Sequence, residues 1–220
     1  MRTLIIGGSG GLGVELAKQC QRRGDEVIVT GRKNPGLDGI SFQKFSLDVG
    51  DKLAEEVEQF VDPLPQIDRL IYAAGFYQEG SITELEPGSI RRMLDVVMNG
   101  AVWFVRELLK NQGQLAECIA ITSTAQDTPR RDESVYSAAK AGLAQFANSI
   151  SLDERVGKVL VAAPGGMKTS FWQMTKHDTS TYNDPTWVAA QIIDALDVEF
   201  RYAYVRILRN PPRTEVVETR

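Results

Sequence analysis

Tyr136 and Lys140 stand four residues apart in Val135-Tyr136-Ser137-Ala138-Ala139-Lys140, so on a helix they share one face, one turn from each other. The spacing suits a catalytic pair and equally the ordinary surface of a helix. A phenol of ordinary pKa, about 10, is poorly matched to proton transfer at neutral pH unless a cation nearby favours its charged form, and Lys140 is such a cation. Thirteen residues before Tyr136, Ser123 follows the apolar run Cys118–Ile121. The C-terminal edge of a parallel strand delivers side chains to a ligand crevice, where the hydroxyls of Ser123 and Tyr136 can converge on one small oxygen.

These residues need elements to position them, and the chain supplies a regular alternation. Apolar runs of strand length occur at Thr3–Ile6, Glu26–Thr30, Ile40–Phe45, Arg69–Ala73, Cys118–Ile121, Val159–Ala163 and Tyr202–Leu208. Amphipathic stretches of helical length lie between most of them, at Gly11–Arg23, Lys52–Phe60, Pro87–Lys110, Val135–Leu152 and Pro185–Leu196. The runs are continuous rather than alternating in polarity, which suits strands buried on both faces. The pattern predicts one α/β domain of the doubly wound Rossmann type, about seven parallel strands flanked by helices on both faces. It spans residues 1–209, with a lid-like loop at about 170–185 and a polar C-terminal tail at 210–220.

The first run ends in Gly7-Gly8-Ser9-Gly10-Gly11-Leu12-Gly13, and a helical pattern follows at once. Strand, glycines and helix in that order predict a dinucleotide site: the glycines permit the tight turn and let a pyrophosphate approach the backbone amides. The second strand runs into Gly31-Arg32-Lys33, without the acid that would receive a ribose hydroxyl. Arg32 offers a planar cation suited to a 2′-phosphate, so NADP is the expected cofactor; otherwise Arg32 and Lys33 are solvated charges after a strand.

Composition excludes several classes. In 220 residues, 43% are hydrophobic and 25% charged, as in ordinary globular proteins, and the net charge of −4 argues against a general nucleic-acid binder. No apolar segment approaches the roughly 20 residues a spanning helix requires, and the N-terminal apolar run is too short for a signal peptide, so a cytoplasmic location is expected. Cys20 and Cys118 lack Cys or His neighbours at metal-ligand spacing and read as buried thiols, with no metal site.

Together these features resemble the short-chain dehydrogenase/reductase family over nearly the whole chain. The matching residues are the turn Gly7–Gly13, Asp48-Val49 after the third strand, Ala73-Ala74-Gly75 after the fourth, Ser123, Tyr136-x-x-x-Lys140, and Pro164-Gly165-Gly166-Met167-Lys168-Thr169 after the sixth. The resemblance implies reversible hydride transfer between NADP(H) and a small carbonyl or alcohol. Tyr136 is then the general acid or base, Lys140 also holds the nicotinamide ribose, and Ser123 orients the substrate oxygen. It further implies cofactor contacts from Gly7, Ser9, Gly10, Gly11, Leu12, Gly13, Arg32, Lys33, Asp48, Val49, Ala73, Ala74, Gly75, Pro164, Gly165 and Thr169.

Two positions depart from the family pattern. The usual Asn-Asn-Ala-Gly is Tyr72-Ala73-Ala74-Gly75, removing an asparagine that ties neighbouring strands, and the catalytic asparagine position is Val97, with Asn99 two residues on. A Ser123–Tyr136–Lys140 triad without the asparagine relay is expected over a shifted helix that lets Asn99 serve. Phe171, Trp172 and Met174 in the lid, with Phe76 and Tyr77 after the fourth strand, either line an apolar substrate pocket or anchor their loops; His177, the sole histidine, reads as a surface residue. By family resemblance the helices carrying Trp103-Phe104 and Tyr136–Lys140 form a homodimer or homotetramer, although Val102, Val105, Leu108 and Leu109 suit the sheet-covering role equally. Two functions stay open: an NADP-dependent carbonyl reductase or alcohol dehydrogenase, and a non-catalytic regulator that senses NADP(H) with the same fold.

Overall fold

In the computed structural model, which describes residues 1–48, 50–173, 175 and 177–220, one eight-stranded sheet runs in the order β3-β2-β1-β4-β5-β6-β7-β8. The strands are β1 Arg2–Ile6, β2 Glu26–Gly31, β3 Ser41–Lys44, β4 Arg69–Tyr72, β5 Leu115–Ile121, β6 Val156–Pro164, β7 Tyr202–Leu208 and β8 Arg213–Thr219. The first seven are parallel, as expected. Helices α1 Gly11–Arg22, α2 Leu53–Val61, α3 Pro87–Leu94, α4 Gly100–Gln112, α5 Ser134–Ile150 and α6 Pro185–Asp194 connect them.

Strand side chains alternate between two cores, which is why both faces are apolar. Leu4, Leu70, Cys118, Ala120, Val159 and Val161 pack under α2, α4 and α5. Ile5, Val27, Val29, Ile71, Ile119 and Leu160 pack under α1 and α6. The sheet grows outward from β1 in one direction and from β4 in the other, so the crevice at their C-terminal ends is the switch point where such folds bind ligands. Both cysteines are buried and free; burial pushes the Cys20 thiol up to about 11 and the Cys118 thiol to about 12, away from thiolate chemistry. Among the described residues, no helix is long and apolar enough to cross a membrane.

The ending expected to be a loose tail is instead β8, antiparallel to β7 from Ala203↔Thr219 to Leu208↔Arg213. A connection of four residues, Arg209 to Pro212, is too short for a parallel crossover and sets the antiparallel sense. The segment is polar because an edge strand is exposed; its β-branched Thr214, Val216, Val217 and Thr219 carry the strand preference.

A second difference lies in the helical run predicted as unbroken from Pro87 to Lys110. It is interrupted by a π-helical turn, Asp95–Asn99, between α3 and α4. The buried Tyr72 of β4 donates its hydroxyl to the Val96 carbonyl in that turn at 2.7 Å. Gly100 makes this possible, since a Cβ there would lie 2.2 Å from the Tyr72 oxygen. Tyr72 thus ties β4 to the helix where the family asparagine is missing. Val97 is fully buried, and Asn99 gives its amide to Asp95 Oδ1 at 2.8 Å. Along α4, Phe104 and Leu108 are covered by the core, while the buried Val105 and Leu109 lie at its margin toward α5.

Candidate active site

Ser123 follows β5 in extended conformation and begins a short 3-10 turn, its Oγ accepting from the Ala125 amide at 3.2 Å. Tyr136 lies in the first turn of α5, buried beside it. Burial pushes the phenol well above its ordinary pKa; a hydrogen bond with Ser123 acts in the opposite sense, and the Glu133 charge adds to the rise. One turn on, Lys140 is 4% exposed and donates Nζ to the Ile121 carbonyl at 2.8 Å, pinning α5 to the end of β5. Burial pulls this amine down to about 7. Lys140 is not among the groups that shift the Tyr136 phenol: its Nζ sits 5.8 Å from the ring centroid and donates to the Ile121 carbonyl.

The glycine turn has the shape a pyrophosphate requires. Gly7 has φ +84° and its missing Cβ would lie 2.7 Å from the Ala74 backbone, while a Cβ on Gly13 would strike the Gly7 carbonyl oxygen at 2.2 Å. The turn, α1 and the end of β4 are thereby held together. Gly10 faces open space and precedes α1 without capping its amides by a side chain, which leaves a cradle for an anion beside Gly11 and Leu12. Thr169 lies over it, 3.5 Å from where a Gly11 Cβ would be.

At the end of β2, a Cβ on Gly31 would overlap Ser9 Oγ at 1.9 Å, so the Ser9 hydroxyl takes the space an acidic side chain there would need. Arg32 and Lys33 are exposed beyond it, and among the described residues neither has an ion-pair partner. Asp48 is exposed and pairs with Arg92 Nε at 3.2 Å; Val49 lies outside the described residues. Ala73 bonds its amide to the Ile6 carbonyl at 2.9 Å, and Gly165 bonds the Ile207 carbonyl at 2.9 Å, leaving Pro164 at the β6 end that borders the crevice.

Aromatic rings close over Tyr136. Tyr77 meets it edge-on at 5.1 Å and Phe171 at 6.4 Å, and Phe171 also packs 3.4 Å from where a Gly75 Cβ would be. Trp172 joins Tyr77 at 5.5 Å and Tyr182 at 5.4 Å. Phe76 belongs to the same apolar cluster but stacks beneath the Arg92 guanidinium at 4.1 Å, so the ring against Tyr136 is its neighbour Tyr77. Met174 lies outside the described residues.

His177, read as a surface residue, is half-buried. Its Nε2 lies 3.4 Å from the Tyr77 hydroxyl, its Nδ1 3.2 Å from that of Tyr182, and its ring 4.8 Å from Trp172. It joins the segment after β4 to the lid across 100 residues of sequence, a contact no local spacing announces. Glu133 is the other residue that spacing passes over. It is 5% exposed, three residues before Tyr136, with Oε2 3.5 Å from Arg130 Nη1, and Arg130 Nη2 donates to Thr124 Oγ1 at 2.6 Å.

Comparison with known proteins gives a consistent set of likenesses. The family model described as short chain dehydrogenase matches residues 2–180. The tetrahydroxynaphthalene reductase of Pyricularia oryzae is 26% identical over 188 residues, covering 77% of this chain and 65% of that protein, just under two thirds of its length. A short-chain dehydrogenase/reductase structure from Vibrio parahaemolyticus is 28% identical, with a TM-score of 0.75 over 88% of this chain and 89% of that one. A short-chain dehydrogenase from Sphingobium yanoikuyae, solved in complex with NADPH, shares the fold at 19% identity, with a TM-score of 0.81 over 94% of this chain and 87% of that one.

Proposed function

The chain belongs to the short-chain dehydrogenase/reductase family of oxidoreductases, and from this premise we propose that it interconverts a carbonyl and an alcohol with NADP(H), using Ser123, Tyr136 and Lys140. The observation that carries the reading is the buried Ser123–Tyr136 hydroxyl pair, with Lys140 one turn behind it and a glycine cradle on the same edge of the sheet.

When bound, a reduced nicotinamide supplies a hydride to the carbonyl carbon. Gly10, Gly11 and Leu12 would hold the pyrophosphate on their amides, Arg32 and Lys33 the 2′-phosphate, Gly75 would let the adenine ribose approach, and Pro164, Gly165 and Thr169 would border the nicotinamide half. Ser123 donates to the carbonyl oxygen and orients it, and Tyr136 delivers its proton as negative charge grows there. Burial holds the phenol above its ordinary pKa, so the proton transfer relies on charge growing on the substrate oxygen and on the hydrogen bond from Ser123. Lys140, poised near neutrality, restores that proton. Without an asparagine at Val97, its proton comes by another water route.

The substrate enters beneath Phe171 and Trp172, with Tyr77 as the facing wall. The outer faces of α4 and α5 border a groove of about 450 Å³ between Val102, Leu109, Phe146 and Ile150. Assembly as a homodimer or homotetramer through these helices completes the reading.

The test is NADPH oxidation against a carbonyl panel, beside Tyr136→Phe. Turnover by the unaltered protein, reduced about 10²- to 10⁴-fold in the variant with cofactor binding retained, is expected for a lost general acid. Cofactor binding by both with no turnover by either refutes catalysis and leaves the regulatory reading.

A further inference from the structure

We propose that Asp127, held by Tyr204 and Arg206 of β7, is a positioning residue that sets the Ser123 hydroxyl for the reacting oxygen. The inference rests on the reductase reading above and adds to it a residue that acts through Ser123.

Ser123 stands where the chain leaves the sheet. Thr122 before it is still tied to β6, its amide and its Oγ1 both donating to the Ala162 carbonyl, at 2.8 and 3.2 Å. Ser123 then opens the single 3-10 turn Thr124–Gln126, accepting from the Gln126 amide on its carbonyl at 2.9 Å and from the Ala125 amide on its Oγ at 3.2 Å. The Ala125 amide occupies a lone pair of the hydroxyl and leaves its proton for a substrate oxygen. Asp127 ends the turn, and there the chain is fastened to the sheet again. Tyr204 donates its hydroxyl to Asp127 Oδ2 at 2.6 Å, and Arg206 donates Nε to the same oxygen at 3.1 Å, with Nη2 alongside.

The anchor is rigid on the strand side. Tyr204 and Arg206 are two apart and share one face of β7, which is braced by β6 on one edge and β8 on the other. Tyr204 is buried in the core on that face, and Arg206 Nε also donates to its hydroxyl at 3.1 Å, which fixes the donors against each other. Arg130 holds Thr124 from the loop before α5, whereas Asp127 ties the turn to the sheet itself. Asp127 lies at the surface, so its part is these hydrogen bonds rather than apolar packing. Partly exposed ion pairs add little stability. Three donors on one carboxylate oxygen add geometry instead: they fix the far end of the span that Ser123 begins. A hydroxyl stabilises a growing oxyanion only at hydrogen-bond distance, and a displacement of about 1 Å can cost about 10²-fold in rate. Released from β7, a turn closed by one backbone bond settles elsewhere and carries Ser123 Oγ with it.

A double-mutant cycle separates positioning from scaffolding, using NADPH and whichever ketone or aldehyde of the panel is reduced fastest. Asp127→Ala is expected to lower kcat and kcat/KM together by about tenfold or more, with NADPH binding unchanged by titration. Asp127→Asn keeps an acceptor for Tyr204 and Arg206 and is expected to recover most of that loss. In a Ser123→Ala background, read by single-turnover NADPH oxidation, Asp127→Ala is expected to cost less than about twofold, because no hydroxyl remains to misplace. Tyr204→Phe removes a donor from the strand side, and it serves as the variant should the alanine protein fail to fold. The same factor lost in both backgrounds, or an unaltered kcat in Asp127→Ala and Tyr204→Phe, overturns the inference and leaves the reductase reading standing. No turnover of any carbonyl by the unaltered protein overturns the reductase reading and the inference together.

Discussion

The buried Lys140 amine makes stability depend on pH in a direction opposite to that of most proteins above neutrality. Its pKa is about 7 in the fold against 10.5 in the unfolded chain, so between those values the unfolded chain binds the extra proton. Unfolding free energy therefore rises with pH across that window, and the full cost of burying a charged Lys140 is present below pH 7. Integrated from pH 7 to pH 9, the two pKa values give a gain of about 2 kcal/mol from this residue. For a chain of 220 residues, that is a rise in Tm of roughly 4–8 °C. Lys140→Met keeps the volume and removes the titration. Thermal unfolding of both proteins without cofactor, followed by circular dichroism or calorimetry from pH 6.5 to 9.5, isolates the effect as the difference between two curves. The methionine protein is expected to be the more stable at pH 7, with its advantage shrinking by about 2 kcal/mol by pH 9. Parallel curves would refute the reasoning, since they would mean that Lys140 keeps an ordinary pKa in the fold.

Three further outcomes follow from particular contacts. Tyr72→Phe removes the side-chain hydrogen bond to the buried Val96 carbonyl and costs about 0.5–1.5 kcal/mol in urea unfolding; Gly100→Ala is worse alone, but milder in a Tyr72→Phe background, because the added methyl collides with the phenol oxygen. Truncation after Arg209 strips β8 from β7 and bares its backbone edge, lowering Tm and promoting association by light scattering, whereas a loose tail would leave both unchanged. Arg32→Ala is expected to weaken NADPH binding about tenfold or more by titration and to leave NADH nearly untouched; equal losses for both cofactors contradict a 2′-phosphate contact.

Much of the fold and part of the site can be read in the chain because their signals are local. Seven apolar runs separated by helical stretches imply a parallel sheet, since burial on both faces leaves strands without polar alternation. The glycine turn is legible because its steric demands fall within seven residues, and Tyr136 and Lys140 because helical spacing puts them on one face. The π turn is not legible: Asp95–Asn99 carries no proline or glycine, and what holds it is the Tyr72 hydroxyl arriving from β4. Polarity misrepresents β8, because an edge strand stays wet while its backbone bonds do the pairing.

By itself, then, the sequence determined the α/β alternation, the phosphate turn and the identity of the hydroxyls and amine that can act together. Only the tertiary structure decided their electrostatics and their surroundings. Burial, which depends on every element packed above a residue, raises the Tyr136 phenol and lowers the Lys140 amine. Contacts across 100 residues place His177 between Tyr77 and Tyr182 and give the lid its aromatic hold.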